Sequence, residues 1–153
     1  MELKLKKDLT AKSSSYRIDR GIFILNDKMF KFLKKKSNNF RTQTRICFNN
    51  SKRSKLHQML IVQPKKIIPE VKKHPKKHKS YIFIHGEELI VIYDNKGKIK
   101  KKIKLNELNK VIWLPKNTWH NNISKTGYSI HIETISGPFD QKNDRVYLKK
   151  KIT

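Results

Sequence analysis

After Asn38-Asn39 the chain becomes a train of short apolar or alternating runs separated by turn residues: Thr44 to Phe48, Gln58 to Val62, Ile67 to Val71, Ser80 to Ile84, Leu89 to Tyr93, Ile99 to Leu105, Val111 to Leu114 and Tyr128 to Ile135. Side chains alternate faces along a strand, so runs of this length suit buried or half-buried strands. Hairpin signals such as Asp94-Asn95-Lys96-Gly97 join them, which indicates an all-β sandwich or barrel rather than βαβ units. One short helix is expected ahead of the strands. Asn26-Asp27 supplies its cap, Met29, Phe30, Phe32 and Leu33 its core face, and Lys34-Lys35-Lys36 the cations that suit its carbonyl end. No internal repeat is visible.

At 153 residues the chain is near the usual domain length of ~100–150 residues and can bury a two-sheet core. The expected division is a domain over 16–148, a loose, disordered basic tail over 1–15 with the polar run Ser13-Ser14-Ser15, and a basic C-terminal tail over 149–153. The single cysteine, Cys47, cannot form an internal disulfide and fits a reducing compartment; between Ile46 and Phe48 it reads as a buried thiol rather than a nucleophile. No stretch is apolar for the ~20 residues a membrane span needs, and Met1 to Lys7 lacks the apolar region of a signal peptide. A cytoplasmic protein is expected.

The formal net charge of +25 invites a nucleic-acid reading. Groove and phosphate readers favour arginine for its bidentate fork, yet lysine outnumbers arginine several-fold here. The lysines accompany frequent Asn and Ile, which share A- and T-rich codons, so genome composition is a sufficient cause. They are also dispersed, without an interleaved array of stacking aromatics. Nonspecific, salt-sensitive adsorption to polyanions is expected, and sequence-specific nucleic-acid binding is not.

Two spaced motifs bear on chemistry. Strand parity places Glu70, Lys72 and His74 on one face, and His74 is followed by the four residues Pro75 to His78, then Lys79 and, further on, Gly86. Later comes Pro115-Lys116-Asn117-Thr118-Trp119-His120. This register resembles the two cupin metal motifs, H-x-H with a carboxylate and a glycine at fixed distances, and P-x-G-x-x-H. Asn117 fills a glycine place, tolerable because asparagine accepts the left-handed backbone conformation. Lys72 stands where a histidine ligand belongs and Lys79 where the carboxylate belongs. Together with Arg41, Arg45-Ile46-Cys47-Phe48, Gln58 to Val62, His74-Pro75-Lys76-Lys77, Tyr93-Asp94, Trp119-His120 and Glu133 to Phe139, the motifs are similar to the WbuC family over roughly residues 18 to 148. Asn49 replaces a further histidine of that family.

The resemblance implies a cupin-type β-sandwich jelly roll with one short N-terminal helix, a pocket between the sheets, a divalent metal, a homodimer, and a place among surface-polysaccharide functions such as lipopolysaccharide O-antigen synthesis. Two ammonium groups beside His74 and His120 repel a divalent cation, which leaves these histidines as the only candidate metal ligands of the motifs and argues against tight binding. The favoured reading is a small cupin that binds or modifies an anionic small molecule, a nucleotide sugar or sugar acid, through Lys72, His74, Lys79 and His120. Arg41 and Arg45 are candidates for gripping a phosphate or carboxylate, against the alternative of surface arginines. The alternatives for the whole chain are a metal-dependent cupin enzyme holding an ion through His74 and His120, and a nonenzymatic basic adaptor for acidic polymers.

Other residues divide between a site role and an ordinary one. Glu70 and Glu133 are either counter-ions of the pocket or rim charges, and His131 either lines the barrel or packs in its strand. Trp119 either stacks on a ligand or, like Trp113, fills core or rim. His57, His78 and His85 read as turn or surface residues.

Overall fold

The computed structural model describes residues 2–149, so Lys150 to Thr153 of the expected C-terminal tail lie outside the described residues. Helix α1 (Asp27–Lys36) begins where Asn26 accepts a hydrogen bond from the Met29 N–H (3.1 Å) and ends on three lysines, as its sequence predicts. Met29 and Leu33 on its apolar face pack against Tyr16, Ile46, Leu60, Val62 and Ile130. All five belong to strands of one sheet.

That larger sheet has the order β1-β2-β3-β4-β11-β6-β9. Its strands are β1 (Lys4–Lys7), β2 (Ser14–Arg20), β3 (Thr44–Cys47), β4 (Leu56–Pro64), β6 (Lys79–His85), β9 (Val111–Leu114) and β11 (Tyr128–Ser136). The smaller sheet runs β12-β5-β10-β7-β8, from β5 (Lys72–Lys73), β7 (Glu88–Tyr93), β8 (Ile99–Leu105), β10 (Trp119–Ser124) and β12 (Val146–Tyr147). Pairing is antiparallel except between β2 and β3. One face of the larger sheet meets α1 and the other looks inward. At one end the inward residues Tyr81, Ile90, Leu105, Ile112 and Leu114 form a second apolar cluster. At the other end the interior is polar and open. Helix, sandwich and most strand positions follow the sequence-based expectation.

Three positions differ from it. Residues expected as a loose tail form β1 and the first two residues of β2: Lys4–Lys7 pairs with Tyr16 to Arg20, and β2 joins the sheet through β3. Backbone pairing supplies what the charged side chains do not advertise. Ile67 to Val71 is irregular rather than a strand, and the short strand β5 begins at Lys72. Trp119–Ser124 becomes a central strand although Asn121 and Asn122 interrupt any apolar run, because both amides are bonded inside: Asn121 to the Pro69 carbonyl (3.1 Å) and Asn122 to Glu88 (3.1 Å).

Gly86 and Asn117 hold the left-handed conformations the motifs imply, at φ 78° and 64°. A Cβ on Gly86 would lie 2.6 Å from both Thr126 Oγ1 and the Tyr128 carbonyl oxygen. Gly86→Ala should therefore destabilise the protein by about 1–3 kcal/mol. Urea unfolding checks this, and an unchanged midpoint would contradict it.

Candidate functional site

The polar end of the interior is a cavity of about 490 Å³ walled by β2, β3, β4, β6 and β11 on one side, and by Lys72, His74 and the segment from Phe139 to Tyr147 on the other. Period-two alternation builds it: Ser15 and Arg17, Arg45 and Cys47, and His57, Met59 and Ile61 face the cavity, while Tyr16, Ile46, Leu60 and Val62 face the helix. Lys72, His74, Lys79 and Arg45 all line it. His120 stands behind that lining, its ring 6.0 Å from His74 and its backbone paired with Lys72. Arg41 is not brought there. It is exposed after α1, in a turn that bonds its N–H to the Ser37 and Asn38 carbonyls, which corrects its candidacy as an anion ligand.

Lys79 is buried, and its ammonium lies 3.3 Å from Glu133 Oε1 without the alignment of a hydrogen bond. Strands β6 and β11 make this contact possible: Lys79 is opposite Ile135 and Glu133 opposite Tyr81, so cation and carboxylate are diagonal neighbours on one face. Burial disfavours the Glu133 charge, but Lys79 and then Lys72 overcome it and hold the carboxyl well below its usual range. Burial pulls Lys79 downward against the support of Glu133. Lys72 is pushed down to about 7, first by burial and then by Lys79.

His74 and His120 are oriented alike. His74 Nδ1 is 2.7 Å from the Asp144 carbonyl and His120 Nδ1 is 2.8 Å from the Thr118 carbonyl. A carbonyl only accepts, so each Nδ1 carries the proton and donates it. Burial, followed by the Lys79 charge, lowers the two imidazoles to about 4 and about 3, so both are neutral at pH 7 with an Nε2 lone pair that finds no partner. Lys79 Nζ, Tyr81 Oη and His131 Nε2 are likewise buried without a hydrogen bond.

A carbonyl-anchored imidazole with a bare Nε2 is the posture of a metal ligand. The remaining donors do not fit one. Among the described residues no group of three or more His, Cys, Asp or Glu is gathered to hold an ion, and the two ligand places opposite the histidines carry ammonium groups. A unit charge 4 Å from another of like sign costs about 4 kcal/mol at an effective dielectric near 20, and doubly so for a divalent ion.

Several residues take roles other than expected. Glu70 is an exposed charge, whereas Glu133 is the counter-ion of Lys79. His57 is buried on β4, beside the Lys52 carbonyl (3.1 Å), rather than on a turn. Trp119 packs with its Nε1–H on Asn95 (3.0 Å) and Lys73 above its ring (4.6 Å), away from the cavity lining. His131 is buried and bonded through Nδ1 to Glu88, which also accepts from Ser129 (2.7 Å) and Asn122. Glu88 and Arg17 escaped the sequence reading. Glu88 sits two residues after Gly86 as an ordinary hairpin acid, and Arg17 lies just inside the expected domain boundary, in a stretch that carries no motif.

No protein-family model matches the sequence, and no curated protein matches it. Solved structures do resemble the fold. The ligand-free L-ribose isomerase of Cellulomonas parahominis is 10% identical over 71% of this chain and 70% of its own, with a TM-score of 0.58. The DMSP lyase DddQ of Ruegeria pomeroyi is 13% identical over 69% and 51%, with a TM-score of 0.53. The oxalate decarboxylase of Lactobacillus farciminis is 14% identical over 62% of this chain and only 27% of its own, with a TM-score of 0.50. The fold is the cupin jelly roll, all-β with one short helix.

Two measurements follow from the site. His74 and His120 bind protons less readily in the folded chain (about 4 and 3) than at the ordinary value of 6.5, so between these values the unfolded chain holds more protons and stability rises with pH. Their contribution is complete above pH 6.5 and is lost as pH falls through 4. Lys72, at about 7 against 10.5, extends the rise into the alkaline range. The urea midpoint should fall continuously from pH 8 to pH 4.5, and His120→Gln should flatten the lower part of that slope. Separately, Lys72→His with Lys79→Glu should create stoichiometric zinc or nickel binding by calorimetry; no gain over the parent chain would mean that the motif register is misassigned.

Proposed function

We propose that the protein is a small-molecule cupin that binds, or binds and modifies, an anionic hydroxylated ligand, a nucleotide sugar or sugar acid, without depending on a tightly held metal. One observation carries the reading. The cavity is lined by eight lysines and arginines against three acids, and each acid is already engaged: Asp8 with Arg17 (3.1 Å), Asp144 with Lys77 (2.7 Å) and Glu133 with Lys79 (3.3 Å). Lys12 and Lys52 are exposed at the rim, yet the less exposed cations still outnumber the acids; a partly enclosed excess of positive charge favours an anion more than the same charge on an open surface where salt screens it.

The orphaned polar atoms refine the ligand's chemistry. Lys72 and Lys79 offer N–H donors suited to a carboxylate, while the bare Nε2 of His74 accepts from a hydroxyl. The same fold is solved with L-psicose in the L-ribose isomerase and with formate in the oxalate decarboxylase, a sugar and a carboxylate. The resemblance to the WbuC family assigns such a ligand to surface-polysaccharide metabolism. A homodimer and a cytoplasmic location accompany that resemblance and the single buried thiol. No helix among the described residues is long and apolar enough to cross a membrane.

Thermal unfolding with a panel of anions tests the proposal. Gluconate, glucuronate or a nucleotide-linked uronic acid should raise Tm more than acetate or sulfate at matched charge, and part of the shift should persist at 0.5 M salt, because the roughly threefold shortening of the Debye length from 0.05 M to 0.5 M screens an enclosed pair far less than an exposed one. Lys72→Met should remove that difference, and the exposed Lys101→Ala should leave it intact. Lys79→Ala alone strands Glu133 and costs about 3–5 kcal/mol, so Lys79→Met is to be combined with Glu133→Gln. Equal stabilisation by every anion, lost uniformly with salt, would favour the basic-adaptor reading instead.

A further inference from the structure

The cavity has a second cationic centre, distinct from the lysine pair and built by the N-terminal hairpin. Strands β2 and β3 are parallel, with Ser15 opposite Arg45 and Arg17 opposite Cys47. These four side chains share one face, as the 3.9 Å contact between Ser15 Oγ and Cys47 Sγ confirms, and all four line the cavity. Arg17 and Arg45 are thus diagonal neighbours on adjacent strands, close enough for two long side chains to grip one ligand.

Each arginine has an unused nitrogen. Arg17 Nη1 and Arg45 Nε are shut off from solvent and have no hydrogen-bond partner. Arg17 is held from its other side, where Nη2 donates to Asp8 Oδ2 (3.1 Å). Asp8 is itself fixed by the Thr10 N–H (3.0 Å) and hydroxyl (2.7 Å), and Thr10 Oγ1 accepts from Lys52 (3.0 Å). Arg45 has no ion pair among the described residues. Lys12, Lys52 and Arg145 also line the cavity, and of its three acids only Asp8 is paired with either arginine.

We infer that Arg17 and Arg45 seat a phosphoryl group, making the ligand of this cavity a phosphorylated sugar acid or a comparable phosphorylated polyhydroxy anion. The inference rests on the anion-binding reading above. A monoanionic carboxylate leaves a surplus of positive charge at this centre, whereas a phosphate dianion brings nearly two charges and three strong acceptor oxygens to guanidinium forks whose geometry matches it. The carboxylate of the ligand then belongs at Lys72 and Lys79, which line the same cavity. Asp8 does not touch the ligand; it is a positioning residue that aims Arg17.

Calorimetry with three probes decides the matter: inorganic phosphate, gluconate and 6-phosphogluconate, each at pH 7.5. The parent chain should bind 6-phosphogluconate about tenfold or more tightly than gluconate, and should bind inorganic phosphate measurably. Arg17→Gln and Arg45→Gln should each erase the tenfold advantage and weaken inorganic phosphate, while gluconate affinity is unchanged. Arg17→Lys, which keeps the charge and loses the fork, should fall between. Asp8→Asn should weaken phosphate binding less than Arg17→Gln does. Phosphate affinity that is absent from the parent chain, or that survives both glutamine variants, overturns the inference. Failure of gluconate alone, with arginine-dependent phosphate binding retained, would count against the sugar-acid reading and leave the phosphoryl seat standing.

Discussion

The strands of the larger sheet between its two edges have little free solvent face, and this constraint organises much of the structure. Their outward residues must satisfy α1, and their inward residues must satisfy either the apolar cluster around Tyr81 and Ile90 or the cavity. A sheet covered on both sides ordinarily calls for apolar residues at nearly every position. Here one inward end departs from that rule, so β3 reads Thr-Arg-Ile-Cys and β6 opens with a buried lysine. Polar groups in such places persist only with partners or a function, because each buried group left unpaired costs about 1–3 kcal/mol. The cavity's orphaned nitrogens are therefore the part of the fold that sequence economy leaves unexplained unless something polar enters.

Lys79 decides the chemistry of that end. It lies on the strand position where the cupin motif has a carboxylate, and Glu133 on the adjacent strand provides the counter-charge. The exchange places a fixed, tethered cation where the motif would gather ligands around a diffusible one. Burial keeps both histidines neutral and the field of Lys79 adds to that effect, as it does in lowering Lys72. Such an arrangement differs from a metal centre in that an ammonium supplies one charge, directional N–H donors and no open coordination position.

Much of this was legible in residue order, and the gaps have physical causes. Strands Glu88–Tyr93 and Ile99–Leu105 are announced by the turn between them, and Val111–Leu114 by its apolar run; the Asp94-to-Gly97 turn forms as its residues imply, with Asp94 Oδ1 accepting from the Lys96 and Lys98 N–H groups. The motif register brought Lys72, His74 and Lys79 to one cavity although they sit on or beside two different sheets. Helix α1 was legible down to its cap. The N-terminal hairpin was not, because Lys4-Leu5-Lys6-Lys7 has too little apolar character to separate a strand from a solvated tail, and its place depends on backbone pairing with Tyr16 to Arg20. Trp119–Ser124 was hidden by two asparagines whose partners, Pro69 and Glu88, are distant in sequence. Arg41 was a candidate by family resemblance, with a surface arginine as the alternative, and the turn after α1 leaves it exposed.

The hairpin connects the two halves of the functional argument. A two-stranded hairpin is marginally stable by itself, and this one is joined to the barrel through the parallel pairing of β2 with β3 and through side chains at the cavity wall. Along that wall Arg17 and Arg45 face each other as like charges with only Asp8 between them and neutrality, so their repulsion works against the very pairing that seats them. An anion lying across both arginines reverses the sign of that interaction. By linkage, whatever binds there stabilises the docked hairpin by the same free energy that the docked hairpin lends to binding. The surface lysines have no such coupling, since they stand in water and salt screens them within about 8–10 Å. The cavity charges are thus a small fraction of the chain's +25, set apart from the rest by where the strands place them.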